Sequence, residues 1–258
     1  MRIRCSMVVV VALLTGSVQA APILWVNDSG GNIGKVDVAT GDVELVGNAG
    51  VVLTDIGFDP DGNLFGVSFT GFYSVSKTTG AATLIGSLGT GDSNALVFSS
   101  TGVAYAMGNA GDNLYTVDVS TGAATSIGDV GGFASAGDLA FHNGQLYLAS
   151  TTNQLINVAL GPPVGGTAVG PFGVSEVFGL ANASNNVLYA VAGTSVYSVD
   201  VATGAATFVV DYGGQGLGQA FGQAFITEAG AVPEPGAYLM LAIGLLMSWP
   251  VVRGLRAA

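Results

Sequence analysis

Between residues 21 and 230 this chain has no cysteine, a single histidine and only two basic residues. Without cysteine no disulfide framework is possible there, so stability must come from core burial and sheet hydrogen bonds. His142 without cysteine partners leaves no conventional zinc set, and neither a metal nor a cofactor is expected. Lys35 and Lys77 stand against 16 carboxylates in this span, a net charge of −14. That balance excludes nucleic acid as a partner, because a phosphate backbone must be neutralised by Lys and Arg. It also disfavours anionic membrane surfaces. No Gly-x-Ser-x-Gly elbow and no phosphate-cradling loop of the Walker type is present. On these grounds the chain is expected not to be an enzyme, with no catalytic residue assigned.

Glycine is abundant, 41 residues of 258, and it is placed regularly. A turn pair recurs at Thr40-Gly41, Thr79-Gly80, Thr121-Gly122, Gly165-Gly166 and Thr203-Gly204. Three copies extend to Val-Asp-Val-(Ala/Ser)-Thr-Gly, beginning at Val36, Val117 and Val199. An aromatic recurs independently at Trp25, Phe65, Tyr105, Tyr147 and Tyr189, with spacings of 40, 40, 42 and 42 residues. Two markers at one period identify a repeat. The second unit divides into four short strands, Thr54 to Phe58, Leu64 to Phe69, Phe72 to Ser76 and Ala82 to Ile85, separated by Gly-containing turns. Four antiparallel strands in a unit of about 40 residues make a propeller blade. The first unit starts at Ile23 to Val26, which is the second-strand pattern. Its missing inner strand matches Gly222 to Ile226 at the far end, so a composite first blade should close the ring and remove its open edges. The expected fold is all-β, a five-bladed propeller over residues 21–230. Its Asp-x-x-Thr-Gly turn resembles blades of quinoprotein-like and related bacterial propellers. That resemblance implies the fold and carries no cofactor, since none of those enzymes' cofactor-binding residues map here. The five aromatics should pack between blades.

Both ends carry targeting patterns. Arg2 and Arg4, the apolar stretch Met7 to Leu14 and Val18-Gln19-Ala20 read as a signal peptide over residues 1–20. Cys5 lies upstream of the apolar stretch and is not placed as a lipoprotein cysteine. Residues 231–258 comprise Val232-Pro233-Glu234-Pro235-Gly236, an apolar run from Ala237 to Val252, and a basic tip with Arg253 and Arg256. The run is slightly short of the usual spanning length of about 20 residues, and the arginines hold its end on the cytoplasmic side. This tail resembles the PEP-CTERM sorting domain of Gram-negative bacteria that export a polysaccharide matrix. The resemblance covers about a tenth of the chain. It implies export across the inner membrane, transient anchoring through a C-terminal transmembrane helix, and recognition of the box by an exosortase-type enzyme. A tail kept as a permanent anchor is the alternative. Cell surface or extracellular matrix is the implied destination, with exopolysaccharide or surface proteins as partners.

Aligning the blades places Asp55, Asn94, Asp138 and Glu176 at the entrances of inner strands, with Gln219 and Gln223 flanking the closing strand. The ring Asp55, Asn94, Asp138, Glu176 and Gln223 at one channel mouth is the candidate ligand site; it would hold a cation or hydrogen-bond a sugar. The plainer role is to satisfy strand-end amides and buried water. His142 falls in a turn and should be solvated. Asp59-Pro60-Asp61-Gly62-Asn63 resembles the opening of a calcium loop but is already explained as a hairpin turn. Tyr73, Tyr115, Tyr197 and Tyr212 are the candidate sugar platform. The function expected is a non-enzymatic binding or structural module at the cell surface. The alternative is a glycoside hydrolase using two of Asp55, Asp138 and Glu176, which requires carboxyls about 5 Å or about 6.5–9.5 Å apart.

Overall fold

The computed structural model describes residues 21–230. The signal peptide (1–20), the sorting segment (231–258), its box Val232 to Gly236 and the tip Arg253 and Arg256 lie outside the described residues. Twenty strands form five four-stranded antiparallel sheets. The first blade contains β1 (Ile23–Asp28), β2 (Asn32–Asp37) and β3 (Val43–Asn48); the second β4 (Asp55–Phe58), β5 (Leu64–Val67), β6 (Gly71–Val75) and β7 (Ala82–Ser87). The third is β8 (Ser93–Phe98), β9 (Ala104–Gly108), β10 (Asn113–Val117) and β11 (Ala124–Asp129). The fourth is β12 (Ser135–His142), β13 (Gln145–Ser150), β14 (Gln154–Ala159) and β15 (Gly165–Pro171). The fifth is β16 (Val177–Asn182), β17 (Leu188–Ala192), β18 (Ser195–Val199) and β19 (Ala206–Asp211). The last strand, β20 (Ala220–Ala224), pairs with β1 and becomes the innermost strand of the first blade. The fold is therefore an all-β, five-bladed propeller closed by its C-terminal strand.

Turn chemistry sets the blade geometry. In the first, third and fifth blades the Asp of the repeat (Asp37, Asp118, Asp200) accepts the N–H two residues on at 2.8–2.9 Å, and the following Gly donates back to the Asp carbonyl. Gly41, Gly122 and Gly204 all have φ of 79°, which a β-carbon would oppose. Ser76 takes the Asp role in the second blade. The fourth departs from expectation: Gly165 and Gly166 lie inside β15, and a loop containing Pro162 and Pro163 makes the turn.

The same turns hold neighbouring blades together. The bulge glycines Gly47, Gly86 and Gly170 lie against Thr79, Thr121 and Thr203, so closely that a β-carbon would collide with each threonine carbonyl. Backbone bonds from Ala82 to Ala49, Ala124 to Leu88 and Ala206 to Phe172 run beside these contacts. Repetition of Thr-Gly thus builds a belt around the rim.

Five apolar clusters fill the ring, one at each junction between blades. The repeated aromatics behave as expected, each packing toward the next blade. Trp25 meets Phe58, Phe65 meets Phe98, Tyr105 meets Phe141 and Tyr189 meets Phe225, with centroids 5.3–5.8 Å apart. Between the fourth and fifth blades the phenylalanine position is Asn182. There His142, six per cent exposed, hydrogen-bonds the Asn182 side chain at 2.8 Å and lies edge-on to Tyr147. The expected solvated histidine is thus a buried one. Among the described residues no helix is long and apolar enough to cross a membrane.

Candidate functional site at the channel mouth

The inner strands β4, β8, β12, β16 and β20 all begin at one mouth of the central channel. Their entrances line a cavity of about 190 Å³ that includes Thr54, Asn94, Gly137, Phe178 and Phe221, with Phe69 and Asn109 at the rim. No charged side chain lines it. Phe69 is half exposed, at 49%. Asn94 is six per cent exposed; its Nδ2 donates to the Ser135 carbonyl at 3.1 Å, which fixes its other terminal atom as oxygen. That Oδ1 has no protein partner. With almost no accessible surface, this open acceptor is a cost to folding energy rather than a contact offered to the cavity.

A second depression of about 430 Å³ adjoins the first and shares Asn109, Ala136 and Phe178 with it. It runs over the fourth and fifth blades and is walled by Ser150, Thr151, Asn153, Ser175 and Glu176. The mouth is thus an uncharged aromatic cavity opening into a groove of hydroxyls and amides, with Glu176 the one charged side chain along it.

The five ring residues are not brought to one level. Asn94 faces the cavity; Glu176, exposed and with φ of 59°, faces the groove just before β16. Asp55 and Asp138 are fully buried among the inner strands, and their carboxyls hydrogen-bond each other. Asp55 also accepts the N–H of Ile56 at 2.7 Å and, from the next blade, of Leu96 at 2.6 Å. Asp138 repeats the pattern with Leu139 and Leu180, both at 2.7 Å. Gly222 makes room for Asp55, since a β-carbon there would strike its Oδ1. Gln223 turns away, donating to the Tyr189 carbonyl at 2.9 Å and leaving Oε1 unpaired.

Burial drives Asp55 and Asp138 well above the usual carboxylate range. The negative charge of Asp55 raises Asp138 further, while hydrogen bonding by Asp138 partly offsets the rise in Asp55. The pair therefore holds a proton to higher pH than separate, solvated carboxylates would. Glu228, just past β20, is raised well above its ordinary value first by burial and next by the charge of Asp138. Its carboxylate accepts the Asn182 N–H at 3.3 Å, which places it at the opposite mouth. Nothing in the candidate ring anticipated Glu228; its one signal is an acid closely following the closing strand.

Other candidates have structural explanations. Asp59 spends both oxygens on Asn63, closing a hairpin turn rather than presenting ligands. Tyr212 is fully buried, and the other three candidate tyrosines do not line the cavity; Phe69, Phe178 and Phe221 form the aromatic surface instead. The missed signal was a Phe-Gly pair, Phe178-Gly179 and Phe221-Gly222, opening two inner strands. Among the described residues no three acidic, His or Cys side chains come together as a metal set.

No family model matches the chain, and no curated protein matches it. Solved structures do. A gluconolactonase of Xanthomonas campestris is similar with TM-score 0.52 and 14% identity, covering 78% of this chain and 79% of that one. A chain of the nidogen/laminin complex is similar with TM-score 0.55 and 14% identity, covering 81% and 99%. A Bacteroides thetaiotaomicron protein of unknown function gives TM-score 0.55 and 13% identity over 83% and 66%. These likenesses establish the fold. They also correct the expectation that the chain is not an enzyme. An enzyme is built on this architecture, so a shortage of familiar catalytic motifs excludes nothing.

Proposed function

We propose that this chain is an exported propeller that binds a neutral saccharide at its channel mouth, at the cell surface or in an exopolysaccharide matrix. The observation that carries the reading is the mouth itself, an uncharged cavity with three phenylalanines that continues into a groove of hydroxyls and amides. Aromatic faces cover the apolar C–H side of a sugar ring, while side-chain amides and hydroxyls pair with its hydroxyls. With a chain net charge of −11, anionic polymers are repelled. The gluconolactonase, named for a sugar-derived substrate, is a precedent for such a ligand on this fold. Delivery rests on the sequence alone: residues 1–20 for export, residues 231–258 for sorting by an exosortase-type enzyme with transient membrane anchoring.

Hydrolysis through Asp55 and Asp138 is poorly served by this geometry. The two carboxyls bond to each other and to four backbone amides, rather than flanking an open cleft. The test is retention of the 21–230 propeller on immobilised neutral and acidic polysaccharides, with new reducing ends and lactone opening followed in the same incubation. Retention on neutral polymers, abolished by Phe178→Ala, is the expected result. Retention on acidic polymers alone, or on none, would refute the reading. Turnover would identify the chain as a catalyst acting at this mouth.

A further inference from the structure

The groove beside the axial cavity holds a side chain that the turn chemistry of the ring does not explain. Glu176 is exposed on the groove wall, with φ of 59°. The other non-glycine residues with positive φ among those described are Asn143, Asn153 and Asn186, and the short amide of asparagine suits that conformation. Glutamate lacks this fit, so its backbone is strained, and strain kept beside a groove marks a side chain in use. The third blade shows the structural alternative. Asp92 and Glu176 hold equivalent places, each just before an inner strand that bulges after its first residue. Asp92 caps a turn, accepting the Ala110 N–H at 3.0 Å. Glu176 lines the groove instead, with no ion pair among the described residues. The basic residues of the ring are engaged elsewhere. Lys35 pairs with Glu44 at 2.9 Å, and Lys77 donates to the Gly62 carbonyl at 2.6 Å, in the hairpin at the far end of β4. A positive partner for Glu176 must therefore come with the ligand.

We infer that Glu176 makes the groove a subsite for an amino sugar, its carboxylate pairing with an ammonium group on the ring. A carboxylate offers acceptors only and an ammonium donors only, so the two satisfy each other through charge-assisted hydrogen bonds. Phe178, at the edge shared with the axial cavity, covers the apolar face of the ring. Ser150, Thr151, Asn153 and Ser175 offer hydroxyls and an amide to the ring hydroxyls. The groove volume of about 430 Å³ lies within the range of about 300–1,000 Å³ usual for small-ligand sites. The negative charge of the chain draws the same ligand in. This inference rests on the saccharide-binding reading and extends it from neutral rings to one that carries a positive charge.

The test compares two β-1,4 trisaccharides that differ at the 2-position, the glucosamine trimer with amino groups and cellotriose with hydroxyls. Binding to the full chain in a neutral detergent is measured by titration calorimetry at about pH 6, where the amines are protonated. An ion pair at an exposed site predicts a preference of about threefold or more for the glucosamine trimer, shrinking as salt is added. Glu176→Gln should abolish the preference and leave cellotriose binding unchanged. Glu176→Gly, which suits the positive φ, guards against a misfolded variant and should lose the same preference. Asp61→Asn removes one charge from the exposed hairpin at the far end of β4 and should keep it. Equal binding of the two sugars, a preference that survives both Glu176 variants, or one lost equally in Asp61→Asn would overturn the inference and leave the saccharide reading standing. Binding of neither sugar would overturn both.

Discussion

Stability should fall as pH rises, the reverse of what an acidic protein with paired carboxylates would show. Asp55 and Asp138 share a buried site in which burial raises both above the ordinary value of 3.8. The folded state therefore keeps a proton that the unfolded chain releases. The stabilising contribution is complete below the unfolded value and is lost as pH climbs through the raised folded value. Between those limits one retained proton costs about 1.4 kcal/mol of stability per pH unit. Glu228 is raised in the same direction and steepens the slope. Asp118, Asp200 and Asp211 act oppositely, because hydrogen bonds hold them below the ordinary carboxylate value. Their contribution is present above the unfolded value and lost below about pH 4. The two windows separate, and stability should decline with rising pH above the ordinary carboxylate range, about pH 4. Urea unfolding of the 21–230 propeller from pH 4 to 8, followed by near-ultraviolet circular dichroism, measures the slope. Asp138→Asn replaces the proton-bearing acid by a neutral donor to Asp55 and should flatten the slope by about one proton. Stability that is level or rising across that range, or an unchanged slope in both Asp138→Asn and Asp55→Asn, would refute the shared buried proton.

Four further outcomes follow from the packing. Gly86→Ala drives a β-carbon into the Thr121 carbonyl and should cost about 2 kcal/mol or more, read as a lower urea midpoint with unchanged m-value. Gly89→Ala, in open space but at φ of 77°, should cost about 1 kcal/mol from backbone strain alone. Ending the chain before β20 leaves the inner edge of β1 unpaired; size-exclusion chromatography should show aggregation in place of a monomer peak. A double-mutant cycle between His142→Ala and Asn182→Ala should show a coupling of about 1 kcal/mol in chemical denaturation.

The ring was legible because its signals repeat locally. Thr-Gly marks a turn whose glycine needs positive φ, and the 40-residue aromatic marks a junction that every blade must fill. Even the closing strand could be recognised from Gly222 to Ile226. Features made by residues about 40 apart that follow no repeat were not legible. His142 is buried because the next blade offers Asn182 where its neighbours carry phenylalanine. The supposed ring at the mouth broke because bulges in β8, β12 and β16 shift the register. Ala95, rather than Asn94, stands level with Asp55 and Asp138, which leaves Asn94 free to face the cavity. Strand alternation gives no sign of such an extra residue.

The closing strand has a mechanical consequence. β20 enters beside Phe221 at the cavity end, and the chain leaves past Glu228 at the far end, with Gly230 beside Pro60. A pull on the chain beyond Gly230 loads β20 lengthwise against β1, so its ladder bonds share the force instead of parting one by one. The latch that completes the circle is thereby oriented to resist a tether, and a tethered domain would hold its cavity outward, away from the point of attachment.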